Sequence, residues 1–229
     1  MACILHIETS AKLCSLAVSL NESLIFNRIY DENSFSHASK LGVYAKEAID
    51  FLQNRDLKLD AVAVSEGPGS YTGLRIGISE AKGLCYGFDI PLIAVSTLDI
   101  ICHLGIYSGI MADFFCPMID ARRMEVYSRV FDAAGKPLEE TKAVVVDESS
   151  YQSYLNRGKV AFLGDGSGKC QEVISSPQAM FFPEIYPTAE AMISLAEESF
   201  KNEQFVDTAY FEPFYLKEFQ ATVAKNKIF

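Results

Sequence analysis

Basic residues are scarce: twenty Lys and Arg stand against thirty Asp and Glu, a net charge of −10 over 229 residues. A surface of that sign repels phosphate backbones, so any nucleic acid the protein serves is expected to be held by a partner. Paired cysteines are missing as well. Cys3, Cys14, Cys85, Cys102, Cys116 and Cys170 form no C-x-x-C, and several sit in apolar runs, which reads as reduced core thiols in a cytoplasmic protein. No hydrophobic run is both long and unbroken. Residues 1–20 lack a basic flank and are interrupted by Glu8, Thr9, Ser10 and Lys12, which argues against a signal peptide. The stretch 90–111 carries Asp99 and His103 near its middle, where a bilayer tolerates them poorly. A soluble protein without membrane contact is expected. Low-complexity tracts, short repeats and flexible linkers are also lacking, and only 221–229 reads as a loose tail.

What is present is enough apolar material, 49% of the residues, to bury a core in one large domain or two small lobes. Three β-rich runs, 3–7, 14–20 and 24–30, open the chain as a meander. Leu41, Tyr44, Ala45, Ala48, Ile49 and Leu52 then recur at helical spacing over 36–54, with Ser34 or Ser36 as a cap. A short strand at 61–64 leads through a glycine-rich loop into a second helix, 73–87. Further helix is expected at 97–107, 151–156 and 189–201, and further strands at 114–119, 125–131, 143–146 and 160–163. The second half loosely echoes the first. A duplicated α/β architecture follows, two lobes of mixed sheet with flanking helices and a cleft between them, divided as 1–105 and 106–229.

The most informative string is Gly-Pro-Gly-Ser-Tyr-Thr-Gly-Leu-Arg-Ile-Gly at 67–77, because it follows a strand and opens a helix, where anions often bind. It is not a Walker A loop, since Leu74 and Arg75 follow Gly73 where Lys and Ser or Thr would be needed. Nor is it a dinucleotide fingerprint, since Thr72 stands where the third glycine belongs. A tight strand-to-helix turn capped by Ser70 or Thr72 accounts for the same residues. Arg75 is unfavourable at the positive end of a helix dipole, which predicts that it meets a carboxylate or another polar group.

Unrolled at about 100° per residue, the second helix has one broad arc of small and apolar residues. Gly73, Leu74, Gly77, Ile78, Ala81, Leu84, Cys85 and Phe88 form it, beside a thin polar stripe of Arg75, Ser79, Lys82 and Tyr86. Beyond the stripe lie Ile76, Gly83 and Gly87. A helix covering a sheet needs one apolar face, so small residues on both flanks suggest burial on two sides. Leu41, Tyr44, Ala45, Ala48, Gly73, Leu74, Gly77, Ile78 and Ala81 are thus candidates for an oligomerisation surface, with ordinary core packing as the competing reading.

Catalytic sets are absent. A metal site needs converging imidazoles or thiolates, but Leu41 stands four residues after His37, and His6 and His103 have no paired ligand nearby. Gly-x-Ser-x-Gly does not occur, and Glu139-Glu140 and Glu197-Glu198 read as solvated faces.

The 67–77 string resembles the hallmark of the TsaB (YeaZ) family, non-catalytic partners in bacterial tRNA threonylcarbamoyladenosine synthesis. The resemblance covers nearly the whole chain, through Ile7-Glu8-Thr9-Ser10, His37, Ala81-Lys82-Gly83-Leu84 and Val95-Ser96-Thr97-Leu98 in the first half. In the second it includes Asp120-Ala121-Arg122, Glu125-Val126-Tyr127, Gly164-Asp165-Gly166 and Pro213-x-Tyr215-Leu216-Lys217. It implies an actin-like, hexokinase-like ATPase fold and a paralogous catalytic partner, TsaD, contacted through the first two helices as a four-helix contact. The same surface would self-pair as a homodimer when TsaD is absent. TsaE would join the complex, tRNA would be touched only through it, and the adenosine modified would be position 37 of tRNAs reading ANN codons. Glu8, Thr9, Ser10, Asp120, Gly164 and Gly166 would mark a degenerate nucleotide cleft, because Glu8-Thr9-Ser10-Ala11 and Asp120-Ala121-Arg122 lack the glycine that lets a phosphate approach bare backbone. Glu8 departs from the family's usual aspartate. No cofactor and no metal are implied. The rivals are an ATP-dependent small-molecule kinase or another active enzyme of the same fold, and a metalloprotease built on His37.

Overall fold

The structure, a computed structural model, describes residues 2–31 and 37–216, with the backbone alone for 37–39. The expected caps Ser34 and Ser36 and the tail 221–229 lie outside the described residues. The first sheet contains β1 (Cys3–Glu8), β2 (Cys14–Leu20), β3 (Ser23–Tyr30), β4 (Ala61–Gly67) and β5 (Leu92–Ser96) in the order β3-β2-β1-β4-β5. β1 pairs antiparallel with β2 and parallel with β4. Helices α1 (His37–Gln53) and α2 (Tyr71–Phe88) connect its strands, and α3 (Thr97–Tyr107) leads out of it.

The second sheet repeats this plan. It is built from β6 (Phe114–Asp120), β7 (Glu125–Ser128), β8 (Phe131–Asp132), β9 (Lys142–Val145), β10 (Val160–Leu163) and β11 (Ala179–Phe182). Read from its antiparallel edge the order is β9-β7-β6-β10-β11, with β8 also on β6. The senses of pairing match those of the first sheet strand for strand. Short helices α4 (Gln152–Leu155) and α5 (Ser167–Cys170) flank it, and a single turn of 3-10 helix (Glu190–Met192) leads into α6 (Ile193–Lys201). The echo between the halves is therefore a full topological duplication. The strand expected over 125–131 is broken at Arg129 and Val130, and β11 and α5, four residues each, are too short to give a periodic signal.

β1 is buried at every residue because elements cover both of its faces. Cys3, Leu5 and Ile7 join the core under α1 and α2, while Ile4 meets Ile100 of α3 and Met192 and Ala196 at the chain's return. α3 serves both sheets. Its Ile100 packs on the first, and its Leu98, Ile101 and Cys102 pack on Phe115, Ala161 and Leu163 of the second, which is why this helix is apolar on more than one face. At Gly105 an added Cβ would lie 2.4 Å from Leu163 Cδ1, so the helix and the second sheet meet nearly backbone to side chain. All six cysteines are free and buried.

Because α3 supplies core to both lobes, Ile101→Ala should cost about 2–5 kcal/mol in urea denaturation. Tyr107→Ala, on the exposed end of the same helix, should stay within about 0.5 kcal/mol of the parent. Equal midpoints for the two variants would contradict the shared-core role.

Candidate functional site

The turn after β1 and the glycine loop after β4 are pressed into one another. Thr9 Oγ1 donates to the Gly73 carbonyl at 2.8 Å, and the Ser70 N–H donates to the Ser10 carbonyl at 2.6 Å. An added Cβ at Gly69 would lie 2.4 Å from Ser10 O, at Gly73 2.0 Å from Thr9 O, and at Gly77 2.3 Å from Thr9 Oγ1. Glycine at every fourth position is therefore a ridge of bare backbone that the turn occupies. Ser70 caps α2 by accepting from Gly73 N–H at 3.2 Å, so the helix begins at Tyr71, two residues earlier than the spacing predicts. Gly67, at φ +113°, supplies the left-handed bend that ends β4.

Glu8, Thr9 and Ser10 are consequently sealed from solvent. Burial pushes the Glu8 carboxyl up to about 7 against the opposing hydrogen bond from the Ser10 N–H at 2.6 Å. Glu8 Oε2 and the hydroxyls of Ser10 and Ser65 have no hydrogen-bonding partner among the described residues. His6, on the same strand, shares a hydrogen bond with Ser19 Oγ at 2.8 Å and is pulled down to about 3 by burial. It is a neutral core histidine.

The corresponding turn of the second lobe is filled in the same manner. Gly166 N–H donates to Met118 O at 3.1 Å, and a Cβ at Gly164, whose φ is +88°, would lie 2.6 Å from the same oxygen. Asp165 Oδ1 accepts from Asp120 N–H at 3.0 Å. Burial holds the Asp165 carboxyl above its ordinary range. Asp120 Oδ1 accepts from Arg122 N–H at 2.7 Å and from Lys169 Nζ at 2.5 Å, and the same ammonium donates to Glu125 O at 2.6 Å. The Asp120 carboxylate is thus paired with the chain's own lysine. Glu8, Thr9 and Ser10 are brought together with Gly73, and Asp120 with Gly166, by two separate sets of contacts. Between the lobes Arg129 Nη1 meets Asp99 Oδ1 at 3.2 Å. Burial raises the carboxyls of both Asp99 and Glu66 against that guanidinium.

The helix pair corrects the expectation in part. Leu41, Ala45, Ala48, Gly73, Leu74, Gly77, Ile78 and Ala81 are all buried in the chain's own fold, most of them in the core shared with β1, β2 and β4, and only Tyr44 is half-exposed. The broad apolar arc is the side that the first sheet requires. The polar stripe is partly used as well: Arg75 Nε donates to Tyr215 Oη at 3.1 Å, and Lys82 Nζ donates to the carbonyls of Ala209 and Phe211 at 3.0 and 2.8 Å. The flank left open is the third one. Among the described residues an added Cβ at Gly42, Gly83 or Gly87 would meet nothing within 4 Å, and Thr72, Ser79 and Tyr86 are exposed beside half-buried Ile76. Tyr71, Thr72, Arg75, Ile76, Ser79 and Glu80 line a shallow groove there. No three His, Cys, Asp or Glu side chains gather as a metal site among the described residues, which exclude the side chain of His37. No helix among them is long and apolar enough to cross a membrane. Lys169, which neutralises Asp120 from 49 residues away, gave no signal in the sequence.

A family model described as TsaD, tRNA N6-adenosine threonylcarbamoyltransferase, matches residues 31–225. The tRNA threonylcarbamoyladenosine biosynthesis protein TsaB of Escherichia coli (strain K12) is 28% identical over 224 residues, covering 93% of this chain and 94% of that one. Its counterpart in Bacillus subtilis (strain 168) is 39% identical over 92 residues, 40% of this chain and 37% of that one. Among solved structures, an uncharacterized Pseudomonas aeruginosa protein with similarity to peptidase YeaZ superposes with a TM-score of 0.81 at 25% identity, over 95% of this chain and 100% of the other. The fold is accordingly the two-lobed, actin-like α/β architecture.

Glu8 keeps its proton to about pH 7 in the fold but ionises near 4.5 when unfolded, so between those values the unfolded chain binds fewer protons and stability falls as pH rises. Glu8→Gln should therefore gain on the parent in urea midpoint from about pH 4.5 to about pH 7 and hold a constant advantage above that. A difference between the two proteins that does not change with pH would show that Glu8 is not held protonated.

Proposed function

Since the chain belongs to the tRNA N6-adenosine threonylcarbamoyltransferase family, and within it to the TsaB (YeaZ) proteins, we propose that it is a non-catalytic subunit that docks on a TsaD-type transferase and supports it. Its place is in tRNA threonylcarbamoyladenosine biosynthesis, the process named for its relatives. The observation that carries the reading is the contrast between the two halves of the α2 surface. One ridge of glycines is filled by the chain itself, whereas Gly83 and Gly87 on α2, like Gly42 on α1, have nothing against them among the described residues.

Glycine in a helix interior costs about 1 kcal/mol relative to alanine, and what it offers in return is close approach of another backbone. A transferase described by the same family model as this chain would present a corresponding helix pair, so the two proteins would meet like two copies of one subunit, four helices about a pseudo-twofold axis. A homodimer through the same face follows when the transferase is absent. In this reading 1–105 is the docking lobe and 106–229 the second lobe, with α6 returning to brace the first. TsaE joins the assembly, and the acidic chain meets tRNA only through it, in the cytoplasm.

The subunit supports catalysis without taking part in it. Thr9 and Ser10 are covered by α2, so their backbone is not offered to a phosphate, and the Asp120 carboxylate is neutralised by Lys169. These two features weigh against an ATP-dependent small-molecule kinase of the same fold, which would need both turns open. Turnover of ATP by the isolated chain, abolished by Asp120→Ala, would favour that rival.

Gly83→Arg places a long charged side chain where there is room for it, so the isolated variant should fold with a melting temperature at or above that of the parent. Co-purification with the transferase, followed by mass measurement of the complex, should be lost. A complex that forms undiminished would overturn the proposed face.

A further inference from the structure

Resting on that docking face, we propose that it continues past the helix pair onto the C-terminal segment, with Tyr86 and Tyr210 as paired anchors that the transferase takes into apolar pockets. Both rings are almost fully in solvent, at 90% and 84% exposure. Isolated surface tyrosines are ordinary, and what distinguishes these two is how they are held and where they stand.

Lys82 brings them together. Its ammonium donates to the carbonyls of Ala209 and Phe211, the residues on either side of Tyr210. On α2, Tyr86 follows Lys82 by one turn, so the two side chains leave the helix about 6 Å apart. Tyr86 in turn stands at the edge of the open flank, one turn from Gly83 and two from Ser79. The open flank thus borders Tyr86, and the backbone that carries Tyr210 is held at Lys82, one turn away.

The segment presenting Tyr210 is fixed at both ends. Upstream, Val206 bridges to Leu92 on β5, and Asp207 Oδ1 accepts from the N–H groups of Ala209 and Tyr210 at 2.8 and 3.0 Å. Downstream, Phe214 N–H donates to Glu66 O at 2.8 Å, and the Tyr215 ring packs at a tilt against Tyr71 with centroids 5.1 Å apart. A tyrosine carried on backbone ordered in advance loses little freedom when it is buried, which is the condition under which aromatic side chains become interface anchors. The matching chemistry on the partner is a pair of apolar pockets, each with a hydrogen-bonding group at its mouth for the phenol.

The test uses the full chain and its cognate transferase, with affinity read by calorimetry. Tyr86→Ala and Tyr210→Ala should each weaken binding tenfold or more while leaving the melting temperature unchanged, and Tyr→Phe at either position should lose less than Tyr→Ala. Lys82→Met should weaken binding as well, with faster amide hydrogen exchange at residues 209–211. If both alanine variants bind like the parent while Gly83→Arg does not bind, the anchors are wrong and the helix face stands. Should Gly83→Arg also bind like the parent, the docking face falls and this inference with it. Loss confined to self-association, with transferase affinity intact, would likewise overturn the proposal, because the anchors would then belong to a second copy.

Discussion

Thr9 and Ser10 leave β1 with their backbone pressed against Gly69, Gly73 and Gly77, closer than any side chain would permit. Most other features of the first lobe follow from this contact. It fixes the rotation of α2 about its axis, so that Leu74, Ile78 and Ala81 must face the sheet and the flank of Ile76, Gly83 and Gly87 must face away. It also fills the space in which a phosphate would meet the turn. One packing event therefore fills the turn at the end of β1 and orients the open flank of α2.

The second lobe reaches the same end by different means. Gly164 and Gly166 bring their loop onto the end of β6 as the glycines of α2 bring theirs onto the end of β1. The acidic residues are handled differently. Glu8, sealed from water, is pushed up to about 7, whereas Asp120, half in solvent, is neutralised by Lys169 on α5. Leaving either carboxylate charged and alone beside backbone packed this closely would be costly, and the two environments call for opposite remedies: protonation where water is excluded, and a partner charge where it is not. Neither arrangement resembles a site poised for a metal-bound nucleotide.

The sequence made the architecture legible because the signals that build it are local. The meander, the glycine loop and the periodicity of α1 and α2 come from short windows, and their repetition after residue 114 exposes the duplication. The aim of the helices was not legible. Unrolling α2 identifies three strips, but nothing in a single sequence says which of two small-residue flanks the sheet will cover, and the richer one, with Leu74 and Ile78, which reads equally as an oligomerisation surface or as core, is the inner one. Arg75 illustrates the same limit more mildly. Its awkward place at the start of α2 announced a polar partner, yet that partner is the hydroxyl of Tyr215, 140 residues away. Contacts of that span, like Lys169 with Asp120, depend on the duplication closing correctly and leave no periodic trace.

The exposed glycines remain the feature that intrachain packing does not explain. Gly42 and Gly83 lie well inside helices with nothing near them among the described residues, and together they give up about 2 kcal/mol of helix stability relative to alanine. A monomer gains nothing from that loss, since an alanine methyl would fit at both positions without displacing an atom. The loss is recovered only if a second backbone comes within the reach that a methyl would deny it, because close helix approach adds dispersion contacts along the whole line of contact. Gly73 and Gly77 obtain that return from the chain's own β1 turn, and under the proposed docking Gly42 and Gly83 would obtain it from a second protein. Glycine thus serves folding on the inner side of α2, and under the proposed docking Gly83 on its open side would serve association, the difference lying in which backbone arrives.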